Sequence, residues 1–240
     1  MSADAWSADP VGALIYHGVA TAYGDDEAIE GILDTLGISY QEASSDELND
    51  MTLDHLSQFR MIVWPGGYAG QMSRSLTAAT RDRIRLAVQE RGVSFVGICA
   101  GAFIAVSPAA EPGAEGPSWG LSLIAAETLP YYHLEDEGVD YAMVDLDFAR
   151  GPRRSLVWWG GPTLPEVTNG VIARYRDNHL PAMIQTWSGK GFVILSGPHP
   201  EAPLSWKTKL GLSDSAGLEQ DIAALLFQAA LNREPLPTIH

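Results

Sequence analysis

The sequence predicts an α/β fold: a doubly wound, mainly parallel sheet flanked by helices, with an antiparallel β insertion. Three observations predict it. Short apolar runs alternate with helical periodicities through the first hundred residues. The run at 93–98 is apolar almost throughout, as a parallel strand covered on both faces requires. Between about 118 and 194 the pattern changes to consecutive strand-like runs with few helices between them.

Taken in order, residues 11–17 form a short, mostly apolar first strand. Ile29, Ile32, Leu33 and Leu36 fall at helical spacing, on a helix that ends near Gly37. Residues 38–41 read as the second strand and 60–64 as the third, stopped by Pro65-Gly66-Gly67. A helix over 78–90 places Ile84, Ala87 and Val88 on one face, and Gly92 lies past its end. Residues 93–98 are the fourth strand. The inserted strands are 141–148, 155–159, 170–175 and 182–187, and 191–195 follows them. The tail closes with a helix over 214–231, where Leu218, Ile222, Leu225 and Ala229 share a face. A single domain over 1–240 is expected, with β hairpins inserted around 118–190, because 192–195 and the last helix must rejoin the first sheet.

The composition narrows the function classes. Thirty acidic against fifteen basic residues give a formal charge of −15, a field that repels nucleic acid and anionic membranes. Twelve Asp and Glu precede Arg60, the first basic residue, and form a solvated acidic face. The N-terminal stretch has no basic n-region, and no run approaches the ~20 apolar residues that span a bilayer. A cytoplasmic protein is therefore expected. One cysteine, Cys99, excludes an internal disulfide and a multi-cysteine zinc site. No metal and no cofactor are expected.

Cys99 stands in Gly97-Ile98-Cys99-Ala100-Gly101, directly after the buried fourth strand and before an apolar helix. This is the setting of a nucleophile elbow. The flanking positions must be small because the turn brings strand and helix together. The start of a helix also favours a thiolate, and the Ala100 N–H would face an oxyanion forming at a substrate carbonyl. A second element follows the strand at 192–195: Gly197-Pro198-His199-Pro200-Glu201. There His199 is the candidate base and Glu201 its orienter. A third, Trp64-Pro65-Gly66-Gly67-Tyr68, also lies at the carboxyl end of a strand, where α/β sheets bind ligands. Gly67 is the candidate second oxyanion donor. The other histidines, His55, His133, His179 and His240, are read as surface residues. His17 is excepted, because it ends the first strand.

The three pieces, in this order, resemble the class I glutamine amidotransferase-like superfamily. Within it the chain looks most like the branch named for the N-terminal domain of some biotin–protein ligases. The similarity covers about 11–206, including Trp158-Trp159-Gly160-Gly161-Pro162 and Ala173-Arg174-Tyr175. It implies a flavodoxin-like sheet and a cysteine that attacks a carboxamide to form a thioester. By that resemblance the triad falls on Cys99, His199 and Glu201, and the oxyanion hole on Gly67 and Ala100. Several departures accompany it. No biotin-ligase catalytic domain and no synthetase domain follow, and glutamine-binding signatures are not evident after Gly101. Ala100 stands where protease-like and chaperone-like relatives often carry His.

The expected activity is thus that of a cysteine-dependent amidase or amidotransferase-like hydrolase on a small carboxamide or γ-glutamyl-type substrate. Gly66, Tyr68, His17, Trp159 and Gly160 are the candidate substrate contacts, with Gln71 beside them. The alternative is a non-catalytic small-molecule-binding or regulatory module on the same fold. The expected partner is a small-molecule substrate, together with a homo-oligomer or a separate synthetase or transferase.

Overall fold

The computed structural model describes residues 11–106, 120–125, 128–212 and 219–239. The readings made above on the N-terminal stretch before Val11, on residue 118, on the first turn of the last helix with Leu218, and on His240 lie outside these residues.

The chain starts with β1 (Val11–Tyr16), α1 (Asp25–Leu36) and β2 (Tyr40–Ala43). Gly37 ends α1 in the left-handed conformation (φ 65°), as its place in the sequence required. Two short helices then intervene, α2 (Ser45–Asp50) and α3 (Leu53–Leu56). The first opens with a reciprocal capping box between Ser44 and Glu47, and the second with Thr52 accepting from the His55 N–H. They lead to β3 (Phe59–Trp64), α4 (Ala69–Arg74), α5 (Ala78–Gln89), β4 (Ser94–Ile98) and α6 (Ala100–Val106).

The second half carries β5 (Ala142–Phe148), β6 (Arg154–Trp158), β7 (Val171–Tyr175), β8 (Pro181–Ser188) and β9 (Gly191–Ser196). It closes with α7 (Leu204–Leu210) and α8 (Gln220–Asn232).

All nine strands belong to one mixed sheet, in the order β2-β1-β3-β4-β9-β8-β7-β5-β6. The pairs β1–β2, β1–β3, β3–β4 and β4–β9 are parallel, and the four pairs beyond β9 are antiparallel. The inserted strands therefore continue the parallel sheet. They return the chain to its centre, where β9 pairs with β4.

Both faces of the sheet are covered. Ile29, Ile32 and Leu33 of α1 pack with Ile222, Leu226 and Phe227 of α8 on one side. Leu48, Leu56, Met72, Ile84, Val88 and Ile104, from α2 to α6, pack on the other. Each such side chain contributes about 1.5–3 kcal/mol on burial. Every residue of β4 is buried, which explains its apolar sequence. The face of α8 differs from the reading above. Ile222 and Ala229 are buried, but so are Ala223, Leu226, Phe227 and Ala230, whereas Leu225 is half exposed. Leu225 lines a mainly apolar groove of about 310 Å³ with Phe148, Ile172 and Leu236.

Among the described residues, no helix is long and apolar enough to cross a membrane.

Candidate active site

Strand register brings the three sequence elements together. Trp64 pairs with Gly97 across β3–β4, so the Pro65-Gly66-Gly67 turn emerges beside Cys99. Ile98 pairs with Ser196 across β4–β9, and the Cys99 N–H donates to the Ser196 carbonyl (2.8 Å). His199 lies three residues beyond that carbonyl. Its own N–H is held by the Val157 carbonyl of β6 (2.7 Å).

Cys99 takes φ +50°, a left-handed conformation that side chains seldom adopt. That conformation holds the residue on a strained turn between β4 and α6. The neighbouring glycines are sterically required. A Cβ on Gly97 would meet the Gly101 carbonyl oxygen at 2.6 Å, and one on Gly101 would meet the Trp64 oxygen at 2.3 Å. The thiol is 4% exposed and donates to the Trp159 carbonyl at 3.5 Å.

His199 Nδ1 lies 2.6 Å from Glu201 Oε1, and both side chains are buried. The Cys99 sulfur faces the ring closely enough to act on its charge. With Nδ1 committed to the carboxylate, Nε2 is the nitrogen left for sulfur. Burial opposes the imidazolium of His199. The facing Cys99 sulfur and the Asp25 carboxyl outweigh it, so its pKa is raised above the ordinary value. Burial pushes Glu201 up to about 7. Trp206 of α7 covers the imidazole edge-on at a centroid distance of 5.3 Å. It meets Trp159 the same way at 5.3 Å and donates its indole N–H to the Tyr23 carbonyl (3.2 Å).

A third buried acid joins them. Asp25, the first residue of α1, is fully buried, and its Oδ2 lies 3.9 Å from His199 Nδ1. The same oxygen accepts from the Gly66 N–H. Burial first, then the charge of Glu201, push Asp25 well above the usual carboxylate range, against the pull of His199 and the Gly66 N–H. Sequence reasoning missed Asp25 among the acids that precede Arg60. It missed Trp206 as well.

The remaining candidates divide. Gly67, Tyr68, Gln71 and Gly160 line one open cleft of about 410 Å³, with Phe103, Tyr131 and Arg74. Among the described residues, neither the Gly67 nor the Ala100 amide has a backbone acceptor. Tyr131 packs on Phe103 at 4.9 Å, and the Phe103 N–H donates to the Cys99 carbonyl (3.2 Å), which ties this cleft to the Cys99 turn. Arg74, at the end of α4, has no carboxylate partner among the described residues.

Two candidates are corrected. Gly66 is buried and its N–H is taken by Asp25, so it packs beneath His199 and offers nothing to a substrate. His17 bonds Asp26 and, at 3.2 Å, Glu42, and does not line the cleft. Those acids raise its pKa despite partial burial. Trp159 contributes its carbonyl to the thiol and its ring to Trp206. Elsewhere, His133 bridges Glu137 (2.8 Å) and Asp177 (2.6 Å) at the surface, and His179 is exposed.

No family model and no curated protein matches the chain. Solved structures do share its fold. A glutamine amidotransferase crystal structure aligns with a TM-score of 0.54 at 22% identity, over 79% of this chain and 90% of that one. A glutamine amidotransferase from Methylobacillus flagellatus gives 0.55 at 11% identity, over 97% and 98%. An exo-β-1,4-mannosidase from an Opitutaceae bacterium gives 0.52 at 11% identity, over 92% of this chain but 36% of that one. At such identities the likeness is one of fold. The α/β architecture of this chain is that of glutamine amidotransferase-like structures.

Proposed function

We propose that this chain is a cysteine-dependent amidase or amidotransferase-like hydrolase acting on a small carboxamide or γ-glutamyl-type substrate. The observation that carries the reading is the line Cys99–His199–Glu201. A thiol on a left-handed elbow faces an imidazole whose Nδ1 lies 2.6 Å from a buried carboxylate.

In this reading Cys99 Sγ gives its proton to His199 Nε2 and attacks the carbonyl carbon. The oxyanion is met by the Gly67 and Ala100 N–H groups. The C–N bond then breaks, and the leaving nitrogen takes the proton from His199. Water next attacks the thioester while His199 accepts its proton, and the C–S bond breaks to release the acid and restore the thiol. Glu201 keeps the imidazole in the right tautomer throughout and stabilises its charged form. Tyr68, Gln71 and Gly160 border the cleft in which the substrate would sit.

The finer assignment follows the same motifs. We read the chain as one doubly wound, flavodoxin-like domain of the class I superfamily, nearest the biotin–protein ligase N-terminal-domain branch. We read it as cytoplasmic and working with a small molecule, as a homo-oligomer or beside a separate synthetase or transferase.

The test is intact mass after exposure to a glutamine-like electrophile, together with an ammonia-release assay over a panel of small amides. Wild type is expected to gain one adduct that Cys99→Ala lacks, and to turn over at least one amide. A wild-type protein that forms no adduct at any pH and turns over no amide would sink the proposal. The second reading, a binding module without turnover, is favoured by one fact: glutamine-binding signatures are not evident after Gly101. Ligand affinity in a thermal-shift screen that is indifferent to His199→Ala would support it.

A further inference from the structure

Two buried carboxyl groups lie behind the imidazole, where a Cys-His-Glu triad needs only one. Single ligand atoms from Asp25, His199 and Glu201 all fall within 4.8 Å of one another. Glu201 spends Oε1 on His199, and Asp25 spends Oδ2 on the Gly66 N–H. That leaves Asp25 Oδ1 and Glu201 Oε2, which are both buried and have no donor from any other group. Two facing carboxylates with no donor between them would leave two desolvated anions in contact, which is prohibitively costly. One proton between them satisfies both oxygens.

We propose that Asp25 is a positioning residue of the triad, a neutral carboxylic acid whose O–H is donated to Glu201 while its carbonyl oxygen holds the Gly66 N–H. This rests on the triad reading of Cys99, His199 and Glu201 given above.

The groups acting on Asp25 decide which carboxyl keeps the proton. Glu201 faces His199 at 2.6 Å and Asp25 only at 3.9 Å, so the imidazolium stabilises the anion on Glu201. Burial and the Glu201 charge keep the proton on Asp25. The Gly66 N–H and the start of α1 pull the other way. The neighbours in the same turn, Asp26 and Glu27, add negative charge, and Asp26 is engaged by His17. The outcome is one charge on Glu201, with its second oxygen fixed by a donor. The carboxylate cannot then rotate away from His199. Asp25 also ties the β3–α4 turn, which carries Gly67, to the triad, so one side chain sets the distance between the oxyanion donor and the base.

The sole cysteine makes the test direct. Iodoacetamide alkylation of the full chain, followed by intact mass from pH 5 to 10, reports only on Cys99. His199→Ala is expected to slow alkylation at pH 7 and to move the profile toward that of a free thiol. Asp25→Ala is expected to slow it about tenfold at pH 7 and to move the profile up by about one unit. Asp25→Asn can both donate to Glu201 and accept from Gly66, and is expected to stay within about twofold of wild type with an unchanged profile.

Asp25→Asn matching a slowed Asp25→Ala would overturn the neutral-acid role, and a folded Asp25→Ala that behaves as wild type would overturn the positioning role. Coincidence of wild type with His199→Ala would remove the triad itself, and the role of Asp25 with it. Infrared spectroscopy supplies a readout independent of the folding of Asp25→Ala. At pH 9, above the values near 7 of Glu201 and Glu30, wild type is expected to show the C=O stretch of a protonated carboxyl, absent from Asp25→Asn. A wild type without that band contradicts the proposal.

Discussion

His199 rests on Gly66: a Cβ there would come within 2.5 Å of the imidazole Cε1 and 2.7 Å of Asp25 Oδ2. The glycine is therefore fixed by the base it supports. Gly66→Ala is expected to push the imidazole off the line between Cys99 and Glu201. A displacement near 1 Å costs about a hundredfold in a positioned reaction. The check is the Cys99 labelling rate with a glutamine-like electrophile, alongside a thermal melt. A Gly66→Ala protein that labels at the wild-type rate would show that the ring position does not govern reactivity.

The buried acids give stability a definite pH dependence. Glu201 sits at about 7, above its ordinary value of 4.5, and Asp25 is also raised. The folded state thus binds more protons than the unfolded chain between those limits. The Glu201 contribution is fully present below about pH 4.5 and is lost as pH rises through 7, and Asp25 contributes with the same sign. The raised pKa of His199 acts in the same direction. Glu201→Gln removes one ionisation, so its melting temperature is expected to fall less than that of wild type between pH 5 and 8. Its labelling rate is expected to drop a hundredfold or more, since the imidazolium loses its anion; the order of magnitude follows about 10⁴ for an analogous carboxylate-to-amide change. Parallel melting curves for the two proteins would contradict the first expectation.

Much of the fold and the three site motifs were legible because each had a local signal. The apolar run of β4, the periodicity of α1 and α5, and the small residues around Cys99 follow from packing that any sequence must satisfy in place. Asp25 had no such signal. It lies seventy-four positions before Cys99 and looks like its acidic neighbours until α1 docks its first turn behind His199. The helices α2, α3, α4 and α7 have seven residues or fewer, too short for a periodicity to emerge, although Ser44 and Glu47 spelled a capping box. His17 was drawn toward the site by its place at a strand end. Its side chain instead follows Asp26 and Glu42, because charge pairing outweighs topology for an exposed imidazole. Leu225 was assigned inward because an i, i+3, i+4 pattern on an apolar helix admits more than one stripe.

Trp206 couples α7 to the site. Its ring lies edge-on to both His199 and Trp159, and it is 5% exposed. Trp206→Ala removes a large buried side chain, at a cost of about 3–5 kcal/mol. Trp206→Phe keeps an aromatic edge and loses the bond to the Tyr23 carbonyl, for about 1 kcal/mol. Urea denaturation should order the proteins as wild type, Phe, Ala. The labelling rate should follow the packing, near wild type for Phe and reduced for Ala. Equal stability of the Ala variant and wild type would show that this face carries no packing energy.

Arg74 bears on which amides the cleft accepts. The protein carries a net charge of −15, yet this guanidinium borders the cleft with Tyr68, Gln71 and Gly160 and has no carboxylate partner among the described residues. A substrate with an acidic group would find there the compensating charge that the surrounding surface lacks, through a charge-assisted hydrogen bond. Loss of that bond corresponds to about tenfold in affinity. Two electrophiles with the same reactive group, one bearing a carboxylate and one neutral, separate this effect from chemistry at Cys99. Arg74→Ala is expected to raise the concentration for half-maximal labelling about tenfold for the anionic probe and to leave the neutral probe unchanged. Raised salt should reproduce part of that loss in wild type. An equal change for both probes would place Arg74 in the scaffold of the cleft and leave the selection of charge to some other group.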